Sequence, residues 1–382
     1  MKTGQEDSFN RRSFLKQSAA AGVGLAAAGW NQGRASAEEP PAKAVYRTLG
    51  RTGLKVSIVG IGAMQVRESA VIQAAFERGV NYVDTARAYA GGQNERVVGQ
   101  ALKGYRDKVY LATKCHQLES KASILRSIEN SLQALQTEYV DVLQMHNVRS
   151  KDRVLDPMIK EAFAEIKKQG KARFLGVTTH RNQAEVLDAA REDGFYDMVL
   201  VGYNFKSAPE LKEAIARAAK AGLGIVAMKT QAGGYATEEL GAVSPHQAAL
   251  KWVLQDPNVH LAVPGMLSLA EVKEDVAVMG MKLTQADRKI LERYGRAIES
   301  YYCQRCDQCL PTCPRSVDIP TINRCLMYAE GYRDVALARG TYAQLSKARS
   351  AAACLDCSEC TAQCAGRLDI AERMHAARKL LA

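Results

Sequence analysis

Asp84, Tyr89, Lys114 and His146 are an acid, a phenol, an amine and an imidazole, each at or just after the end of a short β-branched run. Together they can deliver a proton to an oxygen that is gaining negative charge. The phenol is the donor in such a set. An unperturbed tyrosine titrates at about 10 and is slow to release its proton at neutral pH. An ammonium beside it stabilises the phenolate and lowers that value. Lys114 is expected to do this, Asp84 to hold Lys114 charged and oriented, and His146 to orient and polarise a substrate oxygen. Singly, the four have duller readings as a helix cap, a loop aromatic, a surface amine and a satisfied core histidine. Their shared placement argues for catalysis.

A second chemistry is written in cysteine. Only Cys115 precedes residue 300, and the other nine cysteines fall between Cys303 and Cys364. Two runs share the spacing C-x2-C-x2-C-x3-C: Cys303, Cys306, Cys309, Cys313, and Cys354, Cys357, Cys360, Cys364. This spacing is similar to that of bacterial ferredoxins, in which three thiolates of a run hold one 4Fe–4S cube and the fourth serves the other cube. The resemblance implies one cluster on Cys303, Cys306, Cys309 and Cys364, and a second on Cys354, Cys357, Cys360 and Cys313. Ala365 departs from the pattern, which has proline after the last cysteine. Zinc and disulfides are the other uses of dense cysteine. Three evenly spaced cysteines and a fourth, twice over, fit zinc poorly, and folding before export argues against disulfides. Cys115 and Cys325 are left over and are expected to be buried structural thiols.

The elements that must position the first set alternate in type. Eight short β-branched runs are expected as strands: 56–62, 81–85, 108–113, 139–146, 172–178, 196–204, 223–228 and 259–265. Between them lie stretches with apolar residues three and four apart, such as those at 122–135 and 208–222. Alternation of strand and helix implies right-handed parallel units. Eight units in so short a span point to a closed α/β fold, a (β/α)8 TIM barrel, with the four residues at its C-terminal rim. An open doubly wound sheet is the runner-up, but it lacks a phosphate-binding glycine loop after the first strand.

The chain has 382 residues, 47% of them apolar, and a formal charge of +11. The basic residues are scattered through amphipathic stretches, which reads as solvated helix faces and not as a nucleic-acid surface. At the start, Arg11 and Arg12 precede Phe14, Leu15 and an Ala/Gly-rich run ending at Ala35–Ala37. That resembles a twin-arginine (Tat) export signal; a basic amphipathic helix or an uncleaved anchor is the alternative. Export by this route implies a periplasmic or other exported location, and suits a protein whose metal cofactor is inserted before export. No stable membrane span is expected once the signal is removed. The organisation is therefore read as a signal at 1–37, a linker at 38–45, the barrel at 46–298, and a small, mostly α, ferredoxin-like two-cluster domain at 299–382.

The segments 81–102, 108–114, 140–148, 244–259 and 262–276 are similar, in order and spacing, to the aldo/keto reductase family. The resemblance spans about residues 46 to 294 and implies hydride transfer between a nicotinamide cofactor, NAD or NADP, and a small carbonyl or alcohol, a sugar among them. It implies catalytic roles for Asp84, Tyr89, Lys114 and His146. It places cofactor contacts at Gly62, Met64, Thr178, Thr179, Tyr203, Met228, Lys229, Gly265, Ser268, Glu271 and Asp275. Several positions depart from the family. Thr178 and Thr179 stand for the usual Ser and Asn, Leu200 for a Gln, and Met228 for a stacking aromatic. Glu271 stands where an arginine often binds a 2′-phosphate; a carboxylate there repels phosphate and accepts from a free 2′-hydroxyl, which leans to NAD. Two readings of the whole follow. In one, the clusters pass single electrons between the barrel and an electron-transfer partner. In the other, they only staple the tail of a simple reductase or of a binding barrel.

Overall fold

The parallel order of the strands follows from the helix that returns the chain after each one. The structure, a computed structural model, describes residues 44–235 and 244–381, so the expected signal at 1–37 lies outside the described residues. The chain enters on a hairpin of β1 (Tyr46–Thr48) and β2 (Lys55–Ser57). The barrel strands are β3 (Ile61–Gly62), β4 (Tyr82–Asp84), β5 (Tyr110–Cys115), β6 (Val140–Val148), β7 (Ala172–Thr179), β8 (Met198–Gly202), β9 (Gly224–Met228) and β10 (Leu261–Ala262). Each pairs in parallel with the next. The ring closes where Val59 bridges Ala262 and the Gly62 N–H donates to the Pro264 carbonyl at 2.8 Å. A Cβ on Gly62 would stand 2.7 Å from the Val263 carbonyl oxygen, so this closure needs glycine.

All eight expected strands are present, with one correction. The run 56–62 is not a single strand. Val56 belongs to the hairpin and only Ile61–Gly62 to the barrel. The hairpin plugs the N-terminal end of the barrel: Leu49, Leu54 and Val56 are buried with Tyr82, Met198 and Val226. Continuous apolarity hid the break, because both halves of the run face interior.

The outer layer comprises α1 (Ser69–Glu77), α2 (Gln93–Ala101), α3 (Lys121–Leu135), α4 (Lys151–Leu155), α5 (Pro157–Lys168), α6 (Gln183–Asp193), α7 (Pro209–Lys220), α8 (Pro245–Leu254), α9 (Leu269–Val276) and α10 (Gln285–Ala297). Their starts are legible locally. Asp156 accepts from the N–H groups of Met158 and Ile159 ahead of Pro157, and Ser120 and Ser123 form a reciprocal capping box. The apolar faces of these helices meet the strands in one continuous core, from Ile72 through Phe163 to Val253.

Residues 299–381 hold α11 (Ile319–Glu330), α12 (Val335–Tyr342) and α13 (Ile370–Leu381), with no strand among the described residues. They have their own small core around Ile322, Leu326, Ala338 and Met374. The described residues from 44 to 381 nevertheless form one compact unit, so the barrel and the C-terminal segment are two cores in one body. The end of α11 presses on the loop after β9: a Cβ on Gly331 would lie 2.1 Å from the Gly233 carbonyl oxygen.

Candidate active site

The four residues singled out by type converge at the C-terminal rim. Lys114, in β5, is fully buried, and its Nζ donates to Asp84 Oδ2 at 2.5 Å, to the Thr85 carbonyl at 2.6 Å and to Tyr89 Oη at 3.1 Å. Three acceptors satisfy all three ammonium protons. Tyr89 opens the short turn Tyr89–Gly92 after β4, and its ring meets the His146 ring edge-on with centroids 5.7 Å apart. Lys114 and His146 lie within their strands, not at the last residue, because β5 runs to Cys115 and β6 to Val148.

One member of the constellation was missed from sequence. Gln144, fully buried, lies opposite Lys114 in register and donates to Asp84 Oδ1 at 2.9 Å. Both oxygens of Asp84 are thus held. The signal was available: Gln144 is two residues before His146, hence on the same inward face of β6.

The proton affinities follow from burial. Burial, Asp84 and Tyr328 push the Tyr89 phenol well above its ordinary 10, with Arg324 opposing them. The expected net lowering by Lys114 is therefore corrected. The hydrogen bond is present, but desolvation of the phenolate and the Asp84 carboxylate outweigh it. Burial also lowers Lys114, against the pull of Asp84. His146 is driven well below 6.5 by burial and by the Lys114 charge. At neutral pH the site presents a protonated phenol held by an ammonium, beside a neutral imidazole. That arrangement can give a proton to an oxygen acquiring negative charge.

A cavity of about 2010 Å³ opens over these groups, large enough for a dinucleotide and a small substrate together. Of the expected cofactor contacts, Gly62, Met64, Met228, Lys229, Gly265, Glu271 and Asp275 line it. Four do not. Thr178 Oγ1 accepts from the Asn147 N–H at 2.8 Å, and Thr179 Oγ1 donates to the Arg181 carbonyl at 2.8 Å. Tyr203 points into the outer layer, donating to Asp256 at 2.9 Å beside Trp252. Ser268 caps α9, accepting from the Glu271 N–H at 3.2 Å. The α9 end of the cavity is acidic. Burial, Glu274 and Glu271 raise Asp275 well above its usual range.

The opposite wall comes from the C-terminal segment. Arg324, Tyr328 and Tyr332 line the cavity, so α11 and the turn after it roof the mouth of the barrel. Arg181, after β7, ties the roof down through Asp307 and Asp318. The Tyr302 hydroxyl donates to Asn204 Oδ1 at 3.1 Å, and Gln304 Nε2 donates to the Lys206 carbonyl at 2.7 Å. Nothing in the local sequence announces these contacts, because each joins residues far apart in the chain.

The cysteines segregate. Burial raises the Cys309 thiol to about 12, with Cys303, Cys364 and Cys306 adding to it. Cys303, raised to about 11, interacts with Cys364 and Cys306. Cys354 interacts with Cys313, Cys357 and Cys360. All ten are free thiols; Cys115 is buried in the barrel core and Cys325 in the small C-terminal core, which also holds Cys309. Among the described residues no three His, Cys, Asp or Glu side chains are placed to hold a single metal ion.

The Aldo/keto reductase family is matched over residues 59–241. The L-galactose dehydrogenase of Arabidopsis thaliana is 30% identical over 287 residues, covering 62% of this chain and 88% of that protein. An oxidoreductase of Bacillus subtilis, YqkF, is 34% identical over 151 residues, so the chain spans about half of that relative, 49%, and 35% of its own length is matched. Among solved structures, an aldo-keto reductase of Klebsiella pneumoniae in complex with NADPH superposes with a TM-score of 0.56 at 26% identity, covering 65% of this chain and 95% of that one.

Proposed function

The chain belongs to the aldo/keto reductase family, and we propose that it reduces a small carbonyl, or oxidises the corresponding alcohol, with a nicotinamide dinucleotide bound at the mouth of the barrel. The observation that carries this is the triple hydrogen bonding of Lys114 to Asp84, Thr85 and Tyr89 beneath the cavity. When bound, the nicotinamide supplies or takes the hydride. The chain's own residues do the rest. Tyr89 Oη gives its proton to the oxygen of the reduced carbonyl, and Lys114 Nζ steadies the phenolate left behind. His146 orients that oxygen. Asp84, fixed by Gln144, keeps Lys114 charged and aimed. Gly62, Met64, Met228 and Gly265 would bound the nicotinamide, and Glu271 and Asp275 the adenosine end. The test is reduction of a panel of aldehydes, ketones and sugars by the purified full chain with NADH and NADPH. Absence of turnover on every member would overturn the reading.

The cysteine sets support two 4Fe–4S clusters, on Cys303, Cys306, Cys309 and Cys364, and on Cys354, Cys357, Cys360 and Cys313. A cluster would supply one-electron transfer or a cross-link for a segment with a small core. The structural role is the primary reading, since the clusters would then hold the roof over the barrel. The electron-transfer reading is favoured by one observation. Cys303 lines a small pocket together with Lys229 and Arg324, which also border the main cavity. Adding substrate anaerobically to the cofactor-loaded protein and following cluster absorbance separates the two. An electron-transfer partner enters only if the clusters respond. Export through the Tat route rests on Arg11 and Arg12. Retention of the precursor when both are replaced by Lys tests it.

A further inference from the structure

Ionised side chains in a protein interior almost always have partners, because an unpaired charge loses its hydration without return. The mouth of the barrel breaks this rule. Lys229, the residue after β9, has φ +56°, and its Nζ is shielded from solvent with no hydrogen-bond partner among the described residues. The Tyr328 ring centroid lies 5.0 Å from it. Arg324, on α11, likewise leaves its Nε buried and unbonded, and His180 leaves Nδ1 so. All three line the main cavity, along with Tyr89 and His146.

The groups act on one another. The Arg324 charge depresses the proton affinity of His146, His180 and Lys229 and works on Tyr89 as well. It therefore lies close to the catalytic pair and not at the far, acidic end of the cavity. Among the described residues no carboxylate acts on Lys229. Burial, then Arg305 and Arg324, hold its proton affinity well below the ordinary lysine value, opposed by the Cys325 thiol, which is itself raised to about 11. Arg305 also leaves Nε and Nη1 buried and unbonded and acts on Lys229 and His180, but it borders the small pocket beside Cys303 and does not line the main cavity.

A site with a buried, unbonded amine, an arginine with an unbonded Nε, a neutral imidazole and a catalytic phenol lacks one thing, an anion. An anion beside Lys229 would strengthen its hold on the proton that burial and the neighbouring arginines weaken. We propose that Lys229 and Arg324, with His180, form a subsite for an anionic group of the substrate, so that the preferred substrates are carbonyls or alcohols carrying a carboxylate. This rests on the aldo/keto reductase reading and deepens it. It also reassigns Lys229, expected from resemblance to touch the cofactor, to the substrate. Arg324 belongs to the C-terminal segment, so the roof selects the substrate as well as covering the site. Arginine supplies a planar fork for a carboxylate, and Lys229 a point charge.

The test uses the full chain with saturating reduced nicotinamide cofactor and two aldehydes of matched size, 4-carboxybenzaldehyde and 4-carbamoylbenzaldehyde. The charged aldehyde is expected to be favoured at least about tenfold in kcat/KM. Arg324→Gln and Lys229→Gln are each expected to bring that ratio towards one, through KM for the carboxylate, while Arg324→Lys retains part of it. Cofactor affinity is followed in parallel by fluorescence of the bound reduced nucleotide. Equal reduction of both aldehydes by the unaltered protein overturns the subsite while leaving the reductase reading in place. A fall in nucleotide affinity in the variants with the aldehyde preference kept would overturn it too, by giving the cations to the cofactor's phosphates. Failure to reduce either aldehyde, or any of the wider panel, removes the reductase reading and the subsite with it.

Discussion

Arg181 grips Asp307 with two parallel hydrogen bonds, Nε to Oδ1 at 2.8 Å and Nη2 to Oδ2 at 2.7 Å, and spends its remaining nitrogen on Asp318 Oδ1 at 2.8 Å. Arg181 follows the fifth strand of the barrel, Asp307 lies between Cys306 and Cys309, and Asp318 caps α11. One buried guanidinium thus joins the barrel to both ends of the segment that precedes the roof. Arg181→Met leaves Asp307 facing an apolar side chain, while Asp318 keeps only the longer ion pairs to Arg149 at 3.6 Å and Arg349 at 3.9 Å. Removing one partner of a buried pair costs about 3–5 kcal/mol. The variant is expected to release residues 299–381 at lower urea than the barrel, giving two transitions where the parent gives one. A single unshifted transition would refute the clamp.

Tyr89→Phe keeps the ring against His146 and removes only the hydroxyl. Turnover is expected to fall by roughly a hundredfold or more, in both directions, with little change in the urea midpoint. Turnover within a few-fold of the parent would remove Tyr89 from the proton path.

The pH dependence should differ by direction. Reduction needs Tyr89 protonated and His146 neutral, and both hold at neutral pH because burial pushes the phenol up and the imidazole down. The reduction rate is therefore expected to be level between about pH 7 and 9. Oxidation needs the phenolate, whose fraction below the pKa grows roughly tenfold per pH unit. The oxidation rate is expected to climb across the same range. A level oxidation profile with chemistry rate-limiting would show that the phenolate is already formed, against the direction that burial gives.

How much of this was written in the sequence can be read from particular residues. Asp84, Tyr89, Lys114 and His146 were legible because strand runs are local features and a barrel gathers the C-terminal parts of its strands, with the loops after them, at one rim. Gln144 was within reach by the alternation of β6 but went unread beside the long apolar run around it. Tyr203 misled, since its position one residue past β8 suggests the rim while its side chain packs outward on Trp252. Arg324, Tyr328 and Arg181 were not legible at all. Their roles depend on α11 crossing the mouth, and no periodicity encodes where one core docks on another. The break of the run 56–62 was hidden for a related reason, since both sides of it are buried.

Glu271, Glu274 and Asp275 gather at the α9 end of the cavity, and Asp275 is held well above the usual carboxylate range by burial and its two neighbours. A 2′-phosphate would add negative charge to this cluster, whereas a ribose 2′-hydroxyl can donate to it. NADH is expected to bind at least about tenfold more tightly than NADPH, a difference of about 1.4 kcal/mol. Glu271→Ser should narrow the gap and Glu271→Arg reverse it. Binding is measured by fluorescence of the reduced nucleotide. Tighter binding of NADPH by the parent chain would show that the phosphate lies elsewhere than at α9.

The cysteine pairing makes a prediction that iron content alone can check. Purified anaerobically, the protein is expected to hold about eight irons in two clusters. Cys364 belongs by sequence to the second run, yet its electrostatic neighbours are Cys303 and Cys309 of the first. If those four thiols share a cluster, Cys306→Ala and Cys364→Ala disable the same one. Each single variant should keep about four irons, and the double variant should keep about four as well. If instead each run held its own cluster, the double variant would lose both and fall to near zero. The complementary pair, Cys313→Ala with Cys357→Ala, should behave in the same way, because Cys313 and Cys357 both neighbour Cys354. Combining Cys306→Ala with Cys357→Ala should empty the protein. Zinc in place of iron in the parent would refute the clusters outright. A double variant of Cys306 and Cys364 without iron would refute the crossed pairing while leaving two clusters in place.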